Sequence, residues 1–259
     1  MRKIIVTSIV ILVFVLLWFQ TPESGSQTHP APTPTPTGAP RTSLPETHED
    51  ITWKETIYRV AWFSVTDPGR ISLIPNYKEK LASQTVRDAN DCTHMTSGGF
   101  YTEANTPLGL LTIGDKTIGK YKNSSLFNGI FSVSENGSAS IGPDIPQEKT
   151  QFQLQSGPIL LSEGSPKVLR LRSDELARRV FVAVSAQGDV LLGVVYDAEA
   201  TFGGPLLADL PEILEAFRKK TNLSIVAALN LDGGSASTFS SEGIFLQELS
   251  SVGSFFCIK

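Results

Sequence analysis

The stretch "VFVAVSAQGDVLLGVVY", residues 180–196, constrains the fold of this chain more than any other segment. Two apolar runs rich in β-forming residues flank four connecting residues that include Gly188 and Asp189. Runs of this kind joined by so short a connection are typical of a β-hairpin. The chain is therefore expected to build its core on antiparallel strands.

Further short runs of β-forming residues follow the same pattern along the chain. They lie at 56–65, 71–74, 108–113, 129–134, 152–155 and 224–232. Few helical segments compete with them. This order of elements predicts an α+β fold, in which a mixed, largely antiparallel sheet carries a few flanking helices in a single globular domain.

Two segments have helix signals. In residues 76–88, Asn76 is placed to cap a helix and Glu79 to complete a capping box. In residues 209–222, Asp209 is the predicted N-cap and Glu212 completes a capping box. Ile213, Leu214 and Phe217 form an apolar stripe, and basic residues in the last turn suit the C-terminal end of the helix dipole. Both segments are therefore predicted as helices.

The N-terminal part of the chain differs in composition from the rest. Residues 1–20 place a basic start before an apolar run, which predicts a membrane anchor, or a signal segment if the run is cleaved. Residues 21–50 are dominated by Pro, Thr and Ser and predict an extended linker. Residues 51–259 are long enough to form one domain, which is expected outside the cytoplasm.

Charge and cysteine content narrow the partners and the compartment. The chain has a net charge of −4, so nothing in its balance points to nucleic acid. Its two cysteines, Cys92 and Cys257, can pair in an oxidising compartment. Two buried free thiols are the alternative that the sequence leaves open.

Several familiar motifs are incomplete. "GDKTIGKY", residues 114–121, has the spacing of a phosphate-binding loop, but Tyr121 stands where a Ser or Thr should hold magnesium, so a hairpin turn is favoured. His94 is the one histidine of residues 51–259, and no GxSxG elbow or metal-ligand spacing accompanies it. It is interpreted as a strand residue, and no metal ligands are assigned. The groups that remain as candidates for binding or catalysis are carboxylates, arginine, hydroxyls and backbone amides.

Three turns combine glycine with short polar side chains directly after an apolar run. They are found in "CTHMTSGGFY" (92–101), "LQSGPILL" (154–161) and "NLDGGSAST" (230–238). Successive backbone N–H groups in such turns form concave sites for anionic oxygens. Three of them in one domain indicate a binding or catalytic site.

The ordered motifs of residues 57–258 resemble the phosphodiester glycosidase family. That family's pattern is Asn-Gly-Gly-Phe-Phe, Pro-x-Gly-Leu, Gln-Ser-Gly-Pro, an arginine that opens a strand, and Asn-Leu-Asp-Gly-Gly-Gly-Ser. The counterparts here are "SGGFY", "PLGLL", "QSGPILL", "RRVFVAV" and "NLDGGSAS". The chain departs from the pattern at Ser97, where the family has Asn, and its glycine run after Asp232 is shorter by one.

The resemblance implies an extracytoplasmic hydrolase that cleaves a glycosyl phosphodiester into a sugar and a phosphomonoester. Asp232 is expected to act as nucleophile or general base, and Arg179 to hold phosphate oxygens with its bidentate guanidinium. The residues expected to line the substrate site are Ser97, Gly98, Gly99, Gln155, Ser156, Gly157, Asn230, Gly233, Gly234 and Ser235. The expected partners are a carbohydrate or glycan phosphate and, through the N-terminal segment, the membrane. No cofactor is required, although a divalent cation near Asp232 is possible.

Simpler interpretations stand beside these assignments. Arg179 can pair with Asp174 or Glu175, and the neighbouring Arg178 leaves the assignment of the arginine ambiguous. Asp232 can be an ordinary turn cap, and Gln155 and Ser156 can satisfy backbone groups at their turn. Glu103 is the nearest second carboxylate, although a solvated loop position fits it better. The alternative function, favoured by Ser97, is a catalytically silent module that binds glycan phosphates.

Overall fold

The computed structural model describes residues 48–259. The predicted anchor of residues 1–20 and most of the predicted linker of residues 21–50 lie outside the described residues. Within residues 48–259, none of the helices has the length and apolar character needed to cross a membrane.

Seventeen strands and two α-helices make up the described part of the chain. The strands are β1 (His48–Trp53), β2 (Thr56–Val65), β3 (Ile71–Pro75), β4 (His94–Ser97), β5 (Leu111–Ile113), β6 (Lys116–Gly119), β7 (Gly129–Ser134), β8 (Ala139–Gly142), β9 (Thr150–Ser156), β10 (Ile159–Ser162), β11 (Ser165–Pro166), β12 (Arg179–Ser185), β13 (Val190–Asp197), β14 (Ile225–Asn230), β15 (Phe239–Ser241), β16 (Ile244–Leu246) and β17 (Ser254–Ile258). The helices are α1 (Ser83–Ala89) and α2 (Leu210–Thr221).

The strands form three sheets. The first has the order β1-β2-β13-β12-β14-β10-β11, the second β16-β15-β4-β17-β3 and the third β6-β5-β9-β7-β8. Every strand pairing among the described residues is antiparallel. The predicted hairpin at residues 180–196 is confirmed as β12 and β13, and residues 114–121 lie in the β5–β6 hairpin rather than in a phosphate-binding loop.

The predicted class is therefore only roughly correct. The fold is largely β, with two short helices. The prediction of a mixed sheet is wrong for the described residues, because all of their strand pairings are antiparallel. The boundary of the linker also differs, since His48 to Asp50 belong to β1 and pair with β2. The composition of residues 48–50 does not reveal this pairing.

The core has two layers that share the first sheet. In β12, Val180, Val182 and Val184 point into a cluster formed with the other two sheets. Phe181 and Ala183 point to the opposite face, where α2 covers the sheet with Leu214 and Phe217 among others. Successive side chains of a strand alternate between faces, so a strand buried on both faces reads as a continuous apolar run. This explains the composition of residues 180–196.

The first helix begins later than the capping signal predicts. Asn76 is buried, and its side chain bonds to the backbone of Leu81 and Val252 instead of capping a helix. The helix starts at Ser83, where the carboxylate of Glu248 accepts a hydrogen bond from the Ser83 amide at 2.7 Å and another from its hydroxyl. A residue 165 positions away therefore caps α1.

The second helix lies at its predicted position, but its capping box is absent. Asp209 makes no side-chain hydrogen bond to the helix and instead pairs with Lys54 at 2.8 Å. At the other end, Asn222 closes the helix in a left-handed conformation with φ of 57°. The amphipathic pattern, rather than the cap, correctly located this helix.

Candidate active site

The candidate site lies at the end of β14, the strand that leads into Asp232. Leu231 is buried in the main core, while the Asp232 amide donates to the carbonyl of Gly98 at 2.9 Å. The hydroxyl of Ser97 donates to the Asp232 carbonyl at 2.9 Å. Two of the three predicted turns are therefore held together by backbone bonds at Asp232.

The third predicted turn joins them through Asn230. The Gly157 amide and the Ser156 hydroxyl both donate to the Asn230 carbonyl, at 3.1 and 2.7 Å. The Asn230 side-chain amide donates in turn to the Gly157 carbonyl at 3.0 Å. The side-chain oxygen of Asn230 is buried and has no hydrogen-bond partner among the described residues. A buried amide oxygen of this kind is an available acceptor at the site.

Asp232 itself is a buried carboxyl, with 8% of its surface exposed. Burial raises the pKa of Asp232 well above its ordinary value, and a hydrogen bond from the Gly233 amide opposes that shift. Desolvation penalises the charged form, so the neutral carboxyl is favoured. The predicted role as nucleophile or base requires the ionised form, whereas a neutral carboxyl is a proton donor.

Two tyrosines lie close to Asp232. Burial raises the pKa of Tyr77 to about 12 and also raises that of Tyr101, and the charge of Asp232 acts in the same direction on both. Both rings pack against Gly253, where an added Cβ would lie 2.7 Å from the Tyr77 ring and 2.8 Å from the Tyr101 ring. The Tyr101 hydroxyl donates to the carbonyl of Ser251.

The Tyr77 hydroxyl is a second polar group without a standard hydrogen bond. It is buried and makes no hydrogen bond of normal geometry with the described residues, although the nearby Ser254 hydroxyl opposes the rise in its pKa. Sequence reasoning missed Tyr77 and Ser254. Tyr77 lay inside a segment that was interpreted as a helix, and Ser254 precedes an apolar strand without any motif of its own.

Ser254 also fixes the glycine turn after β4. Its carbonyl accepts from the Gly98 amide at 2.8 Å, and its hydroxyl accepts from the Gly99 amide at 3.2 Å. An added Cβ on Gly98 would lie 2.6 Å from that hydroxyl. The Gly98 and Gly99 amides, like that of Gly157, are thus engaged within the protein. Glycine is required at residue 98 for close packing.

The turn that follows Asp232 is also held from both sides. Gly234 adopts φ of +61°, a left-handed conformation that favours glycine, and its amide donates to the Arg178 carbonyl at 2.8 Å. Gly233 packs against the same carbonyl, since an added Cβ would lie 2.7 Å from it. The Ser235 hydroxyl accepts from that of Ser250 at 3.0 Å.

Both polar atoms of the Gln155 side chain are hydrogen-bonded to backbone groups. Its side-chain oxygen accepts from the amides of Leu110 and Lys122, both at 2.9 Å. Its side-chain nitrogen donates to the carbonyls of Lys122 and Phe127, at 2.6 and 2.7 Å. The Gln155 side chain therefore satisfies backbone groups, as its simpler interpretation predicts. In doing so it fixes the loop that leads to the turn at residues 156–157.

The two neighbouring arginines have different environments. Arg179, the predicted phosphate ligand, pairs with Asp174 at 3.2 Å and donates to the carbonyls of Glu175 and Pro205. These are the contacts that its simpler interpretation predicted. They engage its guanidinium with Asp174 and with backbone carbonyls.

Arg178 is the arginine that lies beside the Asp232 turn. It is 1% exposed and donates to the Ser237 hydroxyl at 2.7 Å, and that hydroxyl donates to the Gly234 carbonyl at 2.6 Å. Further bonds reach the carbonyls of Thr201, Ser237 and Gln247. Burial lowers the pKa of Arg178 to about 10. No described carboxylate lies within ion-pair distance of Arg178, and the charge of Glu248 opposes the fall in its pKa from further away.

Other candidate groups do not join this site. Glu103 is exposed in the loop after Tyr101, and no shared contact links it to Asp232. His94 begins β4 and packs its ring against that of Phe63 at 4.8 Å, as expected for a strand residue. Among residues 48–259, no group of three or more His, Cys, Asp or Glu side chains is placed to hold a metal ion.

The fold and the site together define a β-rich protein with a buried carboxyl at the meeting point of three glycine turns. A family model for phosphodiester glycosidases matches residues 90–254, a range that includes all three turns. The chain belongs to the phosphodiester glycosidase family. A search of curated proteins gave no match.

Two solved structures share the fold. The catalytic domain of zebrafish N-acetylglucosamine-1-phosphodiester alpha-N-acetylglucosaminidase, auto-inhibited by its pro-peptide, has a TM-score of 0.62 and 17% identity. That match covers 82% of this chain and 81% of the zebrafish chain. A hypothetical protein from Synechocystis has a TM-score of 0.53 and 15% identity over 82% of this chain and 61% of its own. At these identities the likeness shows the fold alone.

Proposed function

We propose that this protein hydrolyses a glycosyl phosphodiester outside the cytoplasm and releases a sugar and a phosphomonoester. Family membership supports the reaction class. The observation that carries the proposal is the convergence of all three glycine turns on the end of β14, beside the buried carboxyl of Asp232. The unpaired side-chain oxygen of Asn230 and the buried hydroxyl of Tyr77 lie in the same region.

Asp232 is proposed to act as a general acid. The phosphodiester of a substrate is negatively charged, and an ionised carboxylate at the same place would repel it. A neutral carboxyl avoids that repulsion. As the bond from the sugar carbon to the phosphate oxygen breaks, the carboxyl can transfer its proton to the departing oxygen. Water then adds to the sugar carbon, and the proton that it loses returns to the Asp232 carboxylate.

Arg178 is proposed to supply the positive charge that the resemblance assigned to Arg179. Its guanidinium is linked through Ser237 to the turn at Gly234, and no described carboxylate forms an ion pair with it. A buried charge has a long reach, because little solvent screens it. It therefore favours an anionic phosphate bound at the turn after Asp232.

The extracytoplasmic location is part of the proposal. The apolar run near the N-terminus, the Pro/Thr/Ser-rich segment and the pairing of Cys92 with Cys257 support it. Attachment to the membrane through residues 1–20 stays a prediction from the sequence, since those residues are outside the described range.

The reaction is tested by incubating the purified protein with glycosyl phosphodiesters and with simple glycosides of the same sugars. Free sugar and phosphomonoester are expected from the phosphodiesters. Asp232→Asn should lower kcat by at least about 100-fold, the lower end of the contribution of a positioned proton donor. Asp115→Asn, an exposed residue of the β5–β6 turn, is the matched control and should leave kcat unchanged.

The pH profile separates the two roles of Asp232. A general acid must be protonated, so kcat should fall as the pH rises through the pKa of the group; a nucleophile or base gives the opposite slope. Arg178→Lys should impair cleavage more than Arg179→Lys, because the Arg178 guanidinium is linked through Ser237 to the turn, whereas that of Arg179 is paired with Asp174. The reverse order would return the phosphate role to Arg179.

The alternative of a silent binding module has one structural observation in its favour. Ser97, which stands where the family has Asn, is fully buried and its hydroxyl is committed to the Asp232 carbonyl. Binding of glycosyl phosphodiesters without release of sugar would support that module and exclude the enzyme.

A further inference from the structure

We propose that a cationic groove beside the active-site turns binds a second phosphate group of the substrate. The substrate would then be a chain of sugar units joined by phosphodiesters, rather than an isolated sugar phosphodiester. The inference rests on the proposed function and extends it from one phosphodiester to a polymer.

The groove has a volume of about 850 Å³ and does not include Asp232. Residues 125–128 contribute one part of its lining and residues 167–173 another, with Pro158 and Ile159 also lining it. Lys167, Arg170 and Arg172 are its charged residues, and no Asp or Glu lines it. In a chain with a net charge of −4, this is a local concentration of positive charge.

The three cations of the groove have no partner among the described residues. Lys167, Arg170 and Arg172 are exposed, and none makes an ion pair or side-chain hydrogen bond with the described residues. Leu169 and Leu171 are half-buried between them, and both guanidinium groups lie in the lining of the groove. Guanidinium groups in this arrangement suit the oxygens of phosphate.

The segment that carries these cations is fixed at both ends. The Lys167 amide donates to the Leu160 carbonyl at 2.9 Å. At the other end, the Asp174 carboxylate accepts from the amides of Leu207 and Ala208 and from Arg179. The ion pair between Arg179 and Asp174 thus anchors this segment. Fixing a segment before binding reduces the entropy that a ligand must overcome.

The groove adjoins one turn of the active site, the turn that contains Gly157 and Pro158. Pro158 lines the groove and directly follows Gly157, and its carbonyl accepts from the Asn230 amide at 3.1 Å. Asn230 lies two residues before Asp232. A phosphodiester chain with one linkage at Asp232 would therefore pass over this turn and place a neighbouring phosphate in the groove.

The test compares binding of matched ligands to proteins that differ only in surface charge. The probes are a synthetic oligomer of mannose units joined by phosphodiesters, the corresponding single-linkage compound, and an uncharged mannose oligomer of equal length. Binding is measured by titration calorimetry on an Asp232→Asn background, which slows consumption of the ligand. The groove variant carries Lys167→Gln, Arg170→Gln and Arg172→Gln. The control carries Lys116→Gln, Lys149→Gln and Lys259→Gln, which remove three exposed charges outside the groove.

The groove variant should bind the charged oligomer at least about 10-fold more weakly, a loss of about 1.4 kcal/mol. Its affinity for the single-linkage compound should be unchanged, and the control should bind both as the Asp232→Asn protein does. Added salt should weaken binding of the oligomer more than that of the single-linkage compound, because the groove charges are exposed.

Three results would overturn the inference. The first is that the groove variant and the control lose affinity for the charged oligomer equally. The second is that the protein with an unsubstituted groove binds the charged oligomer no more tightly than the other two probes. The third is that duplex DNA or anionic phospholipid vesicles bind more tightly than the oligomer through the same three residues. Should the multiple variant unfold, Arg170→Gln and Arg172→Gln are compared singly. Failure of the proposed reaction shows separately, as absence of sugar release by the wild-type protein, and leaves this binding comparison intact.

Discussion

Asp232 shows at the scale of one residue how a site is built at the expense of stability. Its carboxyl is buried, its pKa is raised, and the described hydrogen bond from the Gly233 amide opposes only part of that shift. An unfolded chain would expose the same group to water, where it ionises at its ordinary pKa. Folding therefore requires this carboxyl to keep a proton that water would remove.

The pH dependence of stability follows from this difference. Between the unfolded and the folded pKa of Asp232, the native state holds a proton that the unfolded state has lost, so its contribution to stability decreases as the pH rises through that window. The slope for one group is at most about 1.4 kcal/mol per pH unit. Asn cannot ionise, so Asp232→Asn should remove this loss. The melting temperature of Asp232→Asn, relative to wild type, should increase from acidic pH towards neutral pH.

Thermal unfolding of both proteins over a series of pH values measures this effect, and Asp115→Asn controls for a change in net charge. A constant difference between Asp232→Asn and wild type at all pH values would mean that the folded carboxyl titrates normally. It would then be ionised at neutral pH, and the nucleophile or base role would be the better assignment.

At the scale of elements, strands were more predictable than helix ends. The run at residues 56–65 is β2 with the same bounds, because period-two burial and β-branched residues are local signals. The predicted start of α1 was wrong, because the carboxylate that caps the helix belongs to Glu248, far along the chain. Local sequence cannot show a cap that arrives through tertiary packing.

The elements of the site divide in the same way. Three turns were visible in the sequence, because glycine with short polar residues at the end of an apolar run is a local signal. The contacts that join them could not be predicted, since Ser97 and Asp232 are 135 positions apart and Ser156 and Asn230 are 74 apart. Arg178 and Arg179 are adjacent in sequence, and only their contacts distinguish the buried arginine from the one paired with Asp174.

The glycine turn after β4 provides a prediction at this scale. Gly98→Ala places a methyl group 2.6 Å from the Ser254 hydroxyl and 3.3 Å from its carbonyl oxygen, so the turn or β17 must shift. Overpacking of this kind costs about 1–3 kcal/mol. Activity should fall as well, because the Gly98 carbonyl holds the Asp232 amide.

Gly142→Ala is the matched control for that substitution. An added Cβ there meets nothing within 4 Å, and the residue is not in a left-handed conformation. Stability should be unchanged or increase by a few tenths of a kcal/mol, because alanine restricts the unfolded chain. Urea unfolding of both variants measures the difference, and equal stabilities would show that the turn at Gly98 has room to adapt.

For the whole molecule, one strand pair connects the site to the disulfide. Strand β4 pairs with β17, and Ser97 and Ser254 lie at the end of this pair that faces Asp232. Near the other end, Cys92 and Cys257 form a disulfide with their Cα atoms 5.4 Å apart, within the cluster that packs α1 on the second sheet. The bond therefore links residues distant in sequence and holds the strands that build the site.

The sequence left open whether the two cysteines pair. The contribution of the disulfide to the stability of the whole molecule can be tested. The bond spans a sequence separation of 165 residues, and closing a loop of that size removes much of the freedom of the unfolded chain. The expected loss on reduction is about 4 kcal/mol, and compactness of the unfolded state reduces it. Urea unfolding with and without reductant measures this loss. The double variant Cys92→Ser/Cys257→Ser should have the same free energy of unfolding as the reduced protein, and reductant should not change it. Stability of the wild type that is independent of reductant, with both thiols open to labelling before reduction, would contradict the pairing. It would also remove the disulfide as support for an extracytoplasmic location.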